Sequence, residues 1–195
     1  MIELKSNPLI EQRLNEFAQL HKKNEKFWFS ELCFCILTAN SKAQNAINIQ
    51  QEIGEDGFLS KSEIEIKEII KKQKHRFHNN KAKYIVQARQ FKEIKKIILG
   101  FNDSIKARNF LAEKVKGLGY KESSHFLRNV GFSDVAIIDR HILRFLYQQN
   151  LIKEIPKTIT RNKYLEFENL LKQFKIPLDK LDLIIWEKMT GKVLK

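Results

Sequence analysis

The chain has 195 residues, and its 43% hydrophobic content supports one globular domain or two small ones that share a core. It carries 36 lysines and arginines against 23 aspartates and glutamates, which gives a net charge of +13. This excess favours a polyanion such as nucleic acid as partner, although a well-solvated lysine-rich surface has the same composition. The chain has no apolar run of about eighteen residues, which argues against a membrane span.

The two cysteines, Cys33 and Cys35, lie two positions apart in an apolar stretch. On a helix they point to different sides, so we expect them to be small buried hydrophobes in a reducing compartment rather than a disulfide. The N-terminus lacks the apolar core of a signal peptide. We therefore expect a cytoplasmic protein, nucleoid-associated in a prokaryote.

Helical periodicity runs through nearly every segment, and no convincing alternating strand occurs, so an all-α fold of about ten helices is predicted. Asn7-Pro8 combines a helix cap with a first-turn proline, and Ser60-Lys-Ser-Glu63 has capping-box spacing. In chain order, the predicted helices cover about 8–23, 27–39, 42–53, 61–74, 82–98 and 104–115, then one that opens at 121, and others around 140–146, 165–174 and 181–189.

The segment Val115-Lys-Gly-Leu-Gly-Tyr-Lys121 predicts a helix end, a tight hairpin and a second helix that opens at the lysine. Gly117 and Gly119 allow φ > 0, so their amides can face outward, and such amides at a helix start suit a phosphate. A plain helix–helix turn also uses glycines. Lys121 lies at the positive end of the helix macrodipole, which favours its neutral, nucleophilic form.

Asp139 lies eighteen positions after Lys121 and begins another helical run. Two ordinary explanations exist: a surface lysine that touches phosphate, and an aspartate that only caps a helix. However, an amine and a carboxylate brought together beside a phosphate clamp indicate chemistry on a DNA sugar.

These residues resemble the helix-hairpin-helix DNA glycosylase superfamily, whose signature is Leu/Val-x-Gly-x-Gly-x-Lys followed by an aspartate at this distance. From about residue 27 to its end, the chain is similar to the type-2 8-oxoguanine DNA glycosylase/AP lyases, found chiefly in archaea. The narrower similarity rests on Cys35-Ile-Leu-Thr-Ala-Asn40, on His75-Arg-Phe77 followed by Lys81-Ala-x-Tyr-Ile85, and on the tail from Trp186 to Lys195.

The resemblance implies an all-α fold of two lobes with the active site in the cleft between them. Residues 25–133 would form a helical barrel that contains the helix-hairpin-helix at about 105–130, and residues 1–24 plus 134–195 would form the second lobe. It also implies that Lys121 attacks the sugar to form a Schiff base while Asp139 stabilises positive charge there. No cofactor is required by such a reaction.

The resemblance further assigns DNA contacts. Asn40 and Phe77 match the positions that fill the gap left by an extruded base, and Arg76 would contact the orphaned base or the backbone. Asn40 has the alternative of capping a helix. Trp186 would stack on the damaged base or else belong to the core. The main-chain carboxylate of Lys195 would accept the N7–H that 8-oxoguanine has and guanine lacks.

At the hairpin, the resemblance implies that a Na⁺ or K⁺ ion bridges the carbonyls of Glu113, Val115 and Leu118 to a DNA phosphate. The expected partner is double-stranded DNA that contains 8-oxoguanine or abasic sites, and a monomer is the expected state. Two alternatives stay open: the same fold acting on another oxidised base, and a non-enzymatic helix-hairpin-helix protein that only binds DNA.

Overall fold

A computed structural model describes residues 4–195 and shows an all-helical protein, with no strand among these residues. Eleven α-helices and one short 3-10 helix, Arg89–Phe91, follow one another along the described chain. The α-helices are α1 (Pro8–Lys22), α2 (Glu25–Thr38), α3 (Ala43–Ser60), α4 (Glu63–Lys72), α5 (His78–Ala88), α6 (Ile94–Leu99), α7 (Ser104–Lys114), α8 (Tyr120–Asn129), α9 (Arg140–Gln148), α10 (Arg161–Lys172) and α11 (Leu178–Thr190).

Local capping signals place several helix ends where the sequence predicts them. The side chain of Asn7 accepts a hydrogen bond from the amide of Ile10 (3.1 Å), and α1 starts at Pro8. The helix α2 is the apolar helix expected after residue 27, and every residue from Trp28 to Thr38 is buried. Cys33 and Cys35 are buried and free, as predicted.

The end of α3 and the start of α4 differ from the prediction. Instead of ending near residue 53, α3 continues to Ser60 through a kink at Gly54, whose φ of 69° is left-handed. Ser60 therefore belongs to α3, and the predicted capping box is wrong in register. The box is formed two residues later, where Ser62 and Glu65 exchange hydrogen bonds at the start of α4.

The single helix predicted over 82–98 is broken into α5, the 3-10 helix and α6. A long-range contact accounts for the break: the carboxylate of Glu25 accepts hydrogen bonds from the amides of Lys95 (2.8 Å) and Lys96 (2.9 Å). These amides lie in the first turn of α6, where no intrahelical acceptor is available. The apolar stripe was correctly predicted, since Ala82, Ile85, Ile94 and Ile98 are buried.

Within residues 4–195, three apolar clusters form the core. The first surrounds α2 and draws its buried residues from positions 28–135, and the second draws them from positions 136–185. The third joins α1 to α11 through Ile10, Phe17, Leu183 and Ile184. The predicted division into lobes 25–133 and 1–24 plus 134–195 stays a prediction, and its residues 1–3 lie outside the described part. No helix within 4–195 is long and apolar enough to cross a membrane.

Candidate active site

The hairpin between α7 and α8 has one glycine that its backbone requires. Gly117 adopts a φ of +92°, and a Cβ there would lie 2.7 Å from the ring of Tyr84, so only glycine fits. Gly119 differs from the expectation, because its φ of −103° is open to any residue. Its amide donates to Oε2 of Glu122 (3.3 Å), which places this carboxylate against the turn.

Lys121 is the second residue of α8, as the motif predicts, and its side chain is 36% exposed. Its Nζ atom lies 3.0 Å from Oε1 of Glu122. The Glu122 carboxylate thus joins the amine to the Gly119 amide through its two oxygens. Glu122 was missed by the sequence analysis, although its position three residues after the N-cap Gly119 is a capping-box signal.

Asp139 is the N-cap of α9. Its Oδ1 atom accepts hydrogen bonds from the amides of His141 (2.8 Å) and Ile142 (2.9 Å), so the capping role raised by the sequence is confirmed. The preceding segment is held from the side by Tyr164, whose hydroxyl contacts the main chain of Ala136 and Ile138. A capped helix start and an anchored segment therefore fix where the carboxylate lies.

One cavity of about 560 Å³ brings together the residues that were predicted to be catalytic or to recognise the base, and they come from four parts of the chain. Its lining includes Lys121 from α8, Asp139 before α9, Trp186 from α11 and the C-terminal Lys195. Trp186 is half-buried, and its ring lies 4.7 Å from that of His141 in an edge-to-face arrangement. The cavity is large enough for a small planar ligand.

Polar ring atoms in this cavity are without partners. Nε2 of His125, Nδ1 of His141 and Nε1 of Trp186 are buried and lack a hydrogen-bond partner among the described residues. Buried polar groups are normally paired, so unpaired ones that share a cavity indicate a binding site for a polar ligand. The sequence analysis missed His125, although its position four residues after Lys121 places both side chains on one face of α8.

Buried charges form the cavity wall behind these rings. Arg128 pairs with Asp182, and both side chains are almost fully buried. Burial, opposed by Arg128 and reinforced by Asp139, raises the pKa of Asp182 to about 6. Burial lowers the pKa of His125 well below its usual range, and the cations Arg128, Lys121 and Lys195 add to this effect, so the imidazole is neutral at neutral pH.

The predicted gap-filling residues lie outside the lining of this cavity. Asn40 is exposed and adopts a left-handed φ of 61° directly after the C-cap of α2, a conformation that asparagine tolerates at helix ends. Phe77 is half-buried at the N-cap of α5, and the guanidinium of the exposed Arg76 lies 4.4 Å from its ring centre. Ser41 and Ala43 line the cavity, so Asn40 is next to its edge.

The predicted cation site at the hairpin would use main-chain oxygens alone. The carbonyl of Val115 accepts a hydrogen bond from the amide of Leu118 (3.2 Å), which leaves one lone pair free. Glu113 is exposed in the last turn of α7. This arrangement is compatible with an oxygen-coordinated cation, which stays a prediction.

The fold is all-helical, and its glycine hairpin presents a lysine to a cavity shared with an aspartate. This combination defines the class of helix-hairpin-helix DNA glycosylases. Comparison with known families identifies one family within this class. The family model described as "8-oxoguanine DNA glycosylase" matches residues 10–179. The chain therefore belongs to the 8-oxoguanine DNA glycosylase family.

Relatives of similar length support this assignment. The 8-oxoguanine DNA glycosylase/AP lyase of Methanocaldococcus jannaschii is 54% identical over 200 residues, which cover 99% of this chain and 96% of that protein. The enzyme of the same name from Aquifex aeolicus is 43% identical, with 95% of this chain and 92% of that protein covered.

Solved structures show the same fold. The M. jannaschii 8-oxoguanine glycosylase/lyase in complex with 15mer DNA containing 8-oxoguanine has a TM-score of 0.92 at 53% identity and covers 96% of this chain and 92% of its own. The 8-oxoguanine DNA glycosylase of Thermotoga maritima has a TM-score of 0.89 at 40% identity, with the same two shares covered.

Proposed function

We propose that this chain is a bifunctional DNA glycosylase/AP lyase that excises 8-oxoguanine from double-stranded DNA and nicks the strand at the resulting site. The observation that carries the proposal is the shared cavity of Lys121, Asp139, Trp186 and Lys195, in a chain that belongs to the 8-oxoguanine DNA glycosylase family. The net charge of +13 supplies the sequence-independent attraction to the DNA backbone.

In the proposed reaction, neutral Nζ of Lys121 attacks C1′ of the extruded nucleotide. The glycosidic bond breaks, and the base leaves with its electron pair and takes up a proton. Opening of the sugar ring converts the C1′–N bond into a Schiff base. Loss of a proton from C2′ then expels the 3′ phosphate, and water hydrolyses the imine to free the enzyme. The lysine is the nucleophile, so this route uses no catalytic metal or organic cofactor.

Asp139 has two roles in the proposal. Its carboxylate stabilises positive charge on the sugar as the glycosidic bond stretches, an electrostatic effect that is strong inside a cavity. Its Oδ1 atom meanwhile stays hydrogen-bonded to the amides of His141 and Ile142, which keep it in place. Because a carboxylate has several lone pairs, the two roles do not exclude each other.

The remaining contacts with the base and the duplex are proposed from the positions of the residues in the sequence and in the fold. We expect the face of Trp186 to stack on the base and the terminal carboxylate of Lys195 to accept its N7–H. Phe77, with Arg76 beside it, and Asn40 would fill the gap in the duplex, since extrusion of a base leaves its neighbours unstacked.

At the hairpin, the amides of Gly117 and Gly119 would hold a DNA phosphate, with a Na⁺ or K⁺ ion on the carbonyls of Glu113, Val115 and Leu118. In the free protein, Oε2 of Glu122 accepts from the Gly119 amide, so a phosphate would replace this carboxylate. We further propose that the protein acts as a monomer on chromosomal DNA in the cytoplasm.

A panel of duplexes that each carry one lesion tests the substrate. We expect release of 8-oxoguanine to be fastest, with strand cleavage at the same position. Faster release of an oxidised pyrimidine would favour the same fold with another substrate. Duplex binding without release of any base would favour a protein that only binds DNA.

A further inference from the structure

The side chain of the last residue ends in a polar socket. Nζ of Lys195 lies 2.8 Å from Oε2 of Glu31 on α2 and 2.6 Å from Oε1 of Gln50 on α3. The ring of Phe34 lies beneath it, 4.2 Å from the ammonium to the ring centre. The Glu31 side chain is only 3% exposed and that of Lys195 is 21% exposed. A carboxylate, an amide oxygen and an aromatic face thus surround one ammonium group.

The socket is itself held in place. Asn129 on α8 donates from Nδ2 to Oε1 of Glu31 (2.6 Å), and Gln50 donates from Nε2 to Oε2 (3.3 Å). Burial would raise the pKa of Glu31, but the charge of Lys195 and the hydrogen bonds from Lys195, Asn129 and Gln50 together lower it. The buried carboxylate is therefore ionised, and Lys195 compensates its charge. Without that partner, an uncompensated buried charge would remain.

Lys195 separates two cavities. It lines the active-site cavity, and it also lines a second cavity of about 350 Å³ on the side of α1–α3, together with Glu31, Gln50 and Asn129. The ammonium is thus held by Glu31 and Gln50 where the two cavities meet.

The tail before Lys195 has few comparable restraints. It leaves α11 at Gly191, whose φ of 71° is left-handed, and the next hydrogen bonds are long contacts between Thr190 and Lys192 (3.3–3.4 Å). A chain end of this kind is normally frayed. The socket is therefore the main polar attachment described for the last residue.

We propose that Glu31 and Gln50 are positioning residues for base recognition: they hold the Lys195 ammonium so that the terminal carboxylate is fixed where the base N7–H arrives. This inference rests on the proposed function and deepens it. Neither residue touches the base. Their effect is confined to the step in which a damaged base is recognised, and it leaves the attack of Lys121 on a ready-made abasic site unchanged.

The test uses Glu31→Gln, Lys195→Met and the double variant in the full-length protein. Lys195→Met removes the ammonium but keeps the chain length and the terminal carboxylate. We expect each single variant to release 8-oxoguanine about ten- to a hundred-fold more slowly in single turnover, which is the value of one charged hydrogen bond. The double variant should be no slower than the slower single one, because both remove the same contact. Glu31→Gln should cleave a ready-made abasic site within about two-fold of the wild-type rate.

Two comparisons separate positioning from folding. Glu52 lies on the same helix as Gln50 and forms an exposed ion pair with Lys72. Glu52→Gln removes this pair and should leave both activities unchanged. The substrate 8-oxo-7-deazaguanine lacks the N7–H donor, so wild type should discriminate it from 8-oxoguanine, and Glu31→Gln should reduce that discrimination. A merely structural role would leave the ratio unchanged.

Several results would overturn the inference. Normal 8-oxoguanine release by Lys195→Met would by itself show that the ammonium contact is dispensable. Equal losses of excision and abasic-site cleavage in Glu31→Gln would make Glu31 a folding residue. Failure of the proposed function would look different, because wild type itself would then release no 8-oxoguanine.

Discussion

The hydroxyl of Tyr164 accepts a hydrogen bond from the amide of Ile138 (3.1 Å), one residue before Asp139. The same hydroxyl donates to the carbonyl of Ala136 (2.7 Å) and lies 3.2 Å from Oγ of Ser124 on α8. A buried side chain on α10 therefore connects the helix that carries Lys121 with the segment that carries Asp139. The relative position of amine and carboxylate depends on this contact.

Tyr164→Phe should lower both stability and excision. The change leaves the Ile138 amide and the Ala136 carbonyl buried without this partner, which costs about 1–3 kcal/mol of unfolding free energy. Excision should fall more than duplex binding, because the carboxylate position changes and the basic surface does not. Urea unfolding and single-turnover release measure the two effects, with the exposed Tyr147→Phe as control. Unchanged excision in a destabilised variant would contradict the positioning role.

Asp139→Asn should separate the capping role from the charge. Asparagine caps helices as well as aspartate does, so the melting temperature should stay close to that of wild type. Excision should fall by about 100-fold or more, because charge stabilisation at the sugar is lost. Asp139→Ala, which removes the cap as well, should cost about 0.5–2 kcal/mol of stability in addition. A near-normal rate for Asp139→Asn would reduce the residue to a helix cap.

Phe77→Ala should weaken binding to a lesion duplex about ten-fold more than binding to an undamaged duplex, because only the flipped state needs the gap filled. Binding is measured in a Lys121→Gln background, so that no turnover occurs. Leu99→Ala, which truncates an exposed apolar side chain, serves as control and should change neither affinity. Equal losses on both duplexes, with a lower melting temperature, would instead assign Phe77 to the fold.

The buried amine of Lys81 predicts a pH dependence of stability. Its Nζ donates to the carbonyl of Ile36 (2.5 Å), and burial, reinforced by Lys121 and opposed by Glu122, lowers its pKa from 10.5 to about 8. Between pH 8 and 10 the unfolded chain binds this proton and the folded protein has lost it. The Lys81 contribution to stability should therefore increase with pH, by at most about 1.4 kcal/mol per unit.

Lys81→Met provides the comparison, because the buried cysteines also change stability in this range. Burial raises the thiol pKa values of Cys33 and Cys35, so they oppose the lysine above about pH 8.5 in both proteins. The difference in unfolding free energy between wild type and Lys81→Met isolates the amine. A difference that stays constant from pH 8 to 10 would show that Lys81 keeps its ordinary titration.

Features that depend on neighbouring residues could be predicted from the sequence, whereas contacts between distant residues could not. Asn7 and Asp139 cap the helices that follow them, and the hairpin presents Lys121, because each depends on a few neighbouring residues. The break before α6 depends on Glu25, and the fixed chain end depends on Glu31, which lies 164 positions from Lys195. Sequence periodicity has no means of indicating such pairs.

The most direct test of the account is borohydride trapping on a duplex with one 8-oxoguanine. The wild-type protein should form a covalent protein–DNA complex, and peptide mapping should place the adduct on Lys121. Lys121→Gln should form none while it still binds the duplex, and Lys116→Gln, a nearby exposed lysine in the hairpin, should trap normally. A trapped complex that persists in Lys121→Gln, or an adduct on another residue, would contradict the central claim.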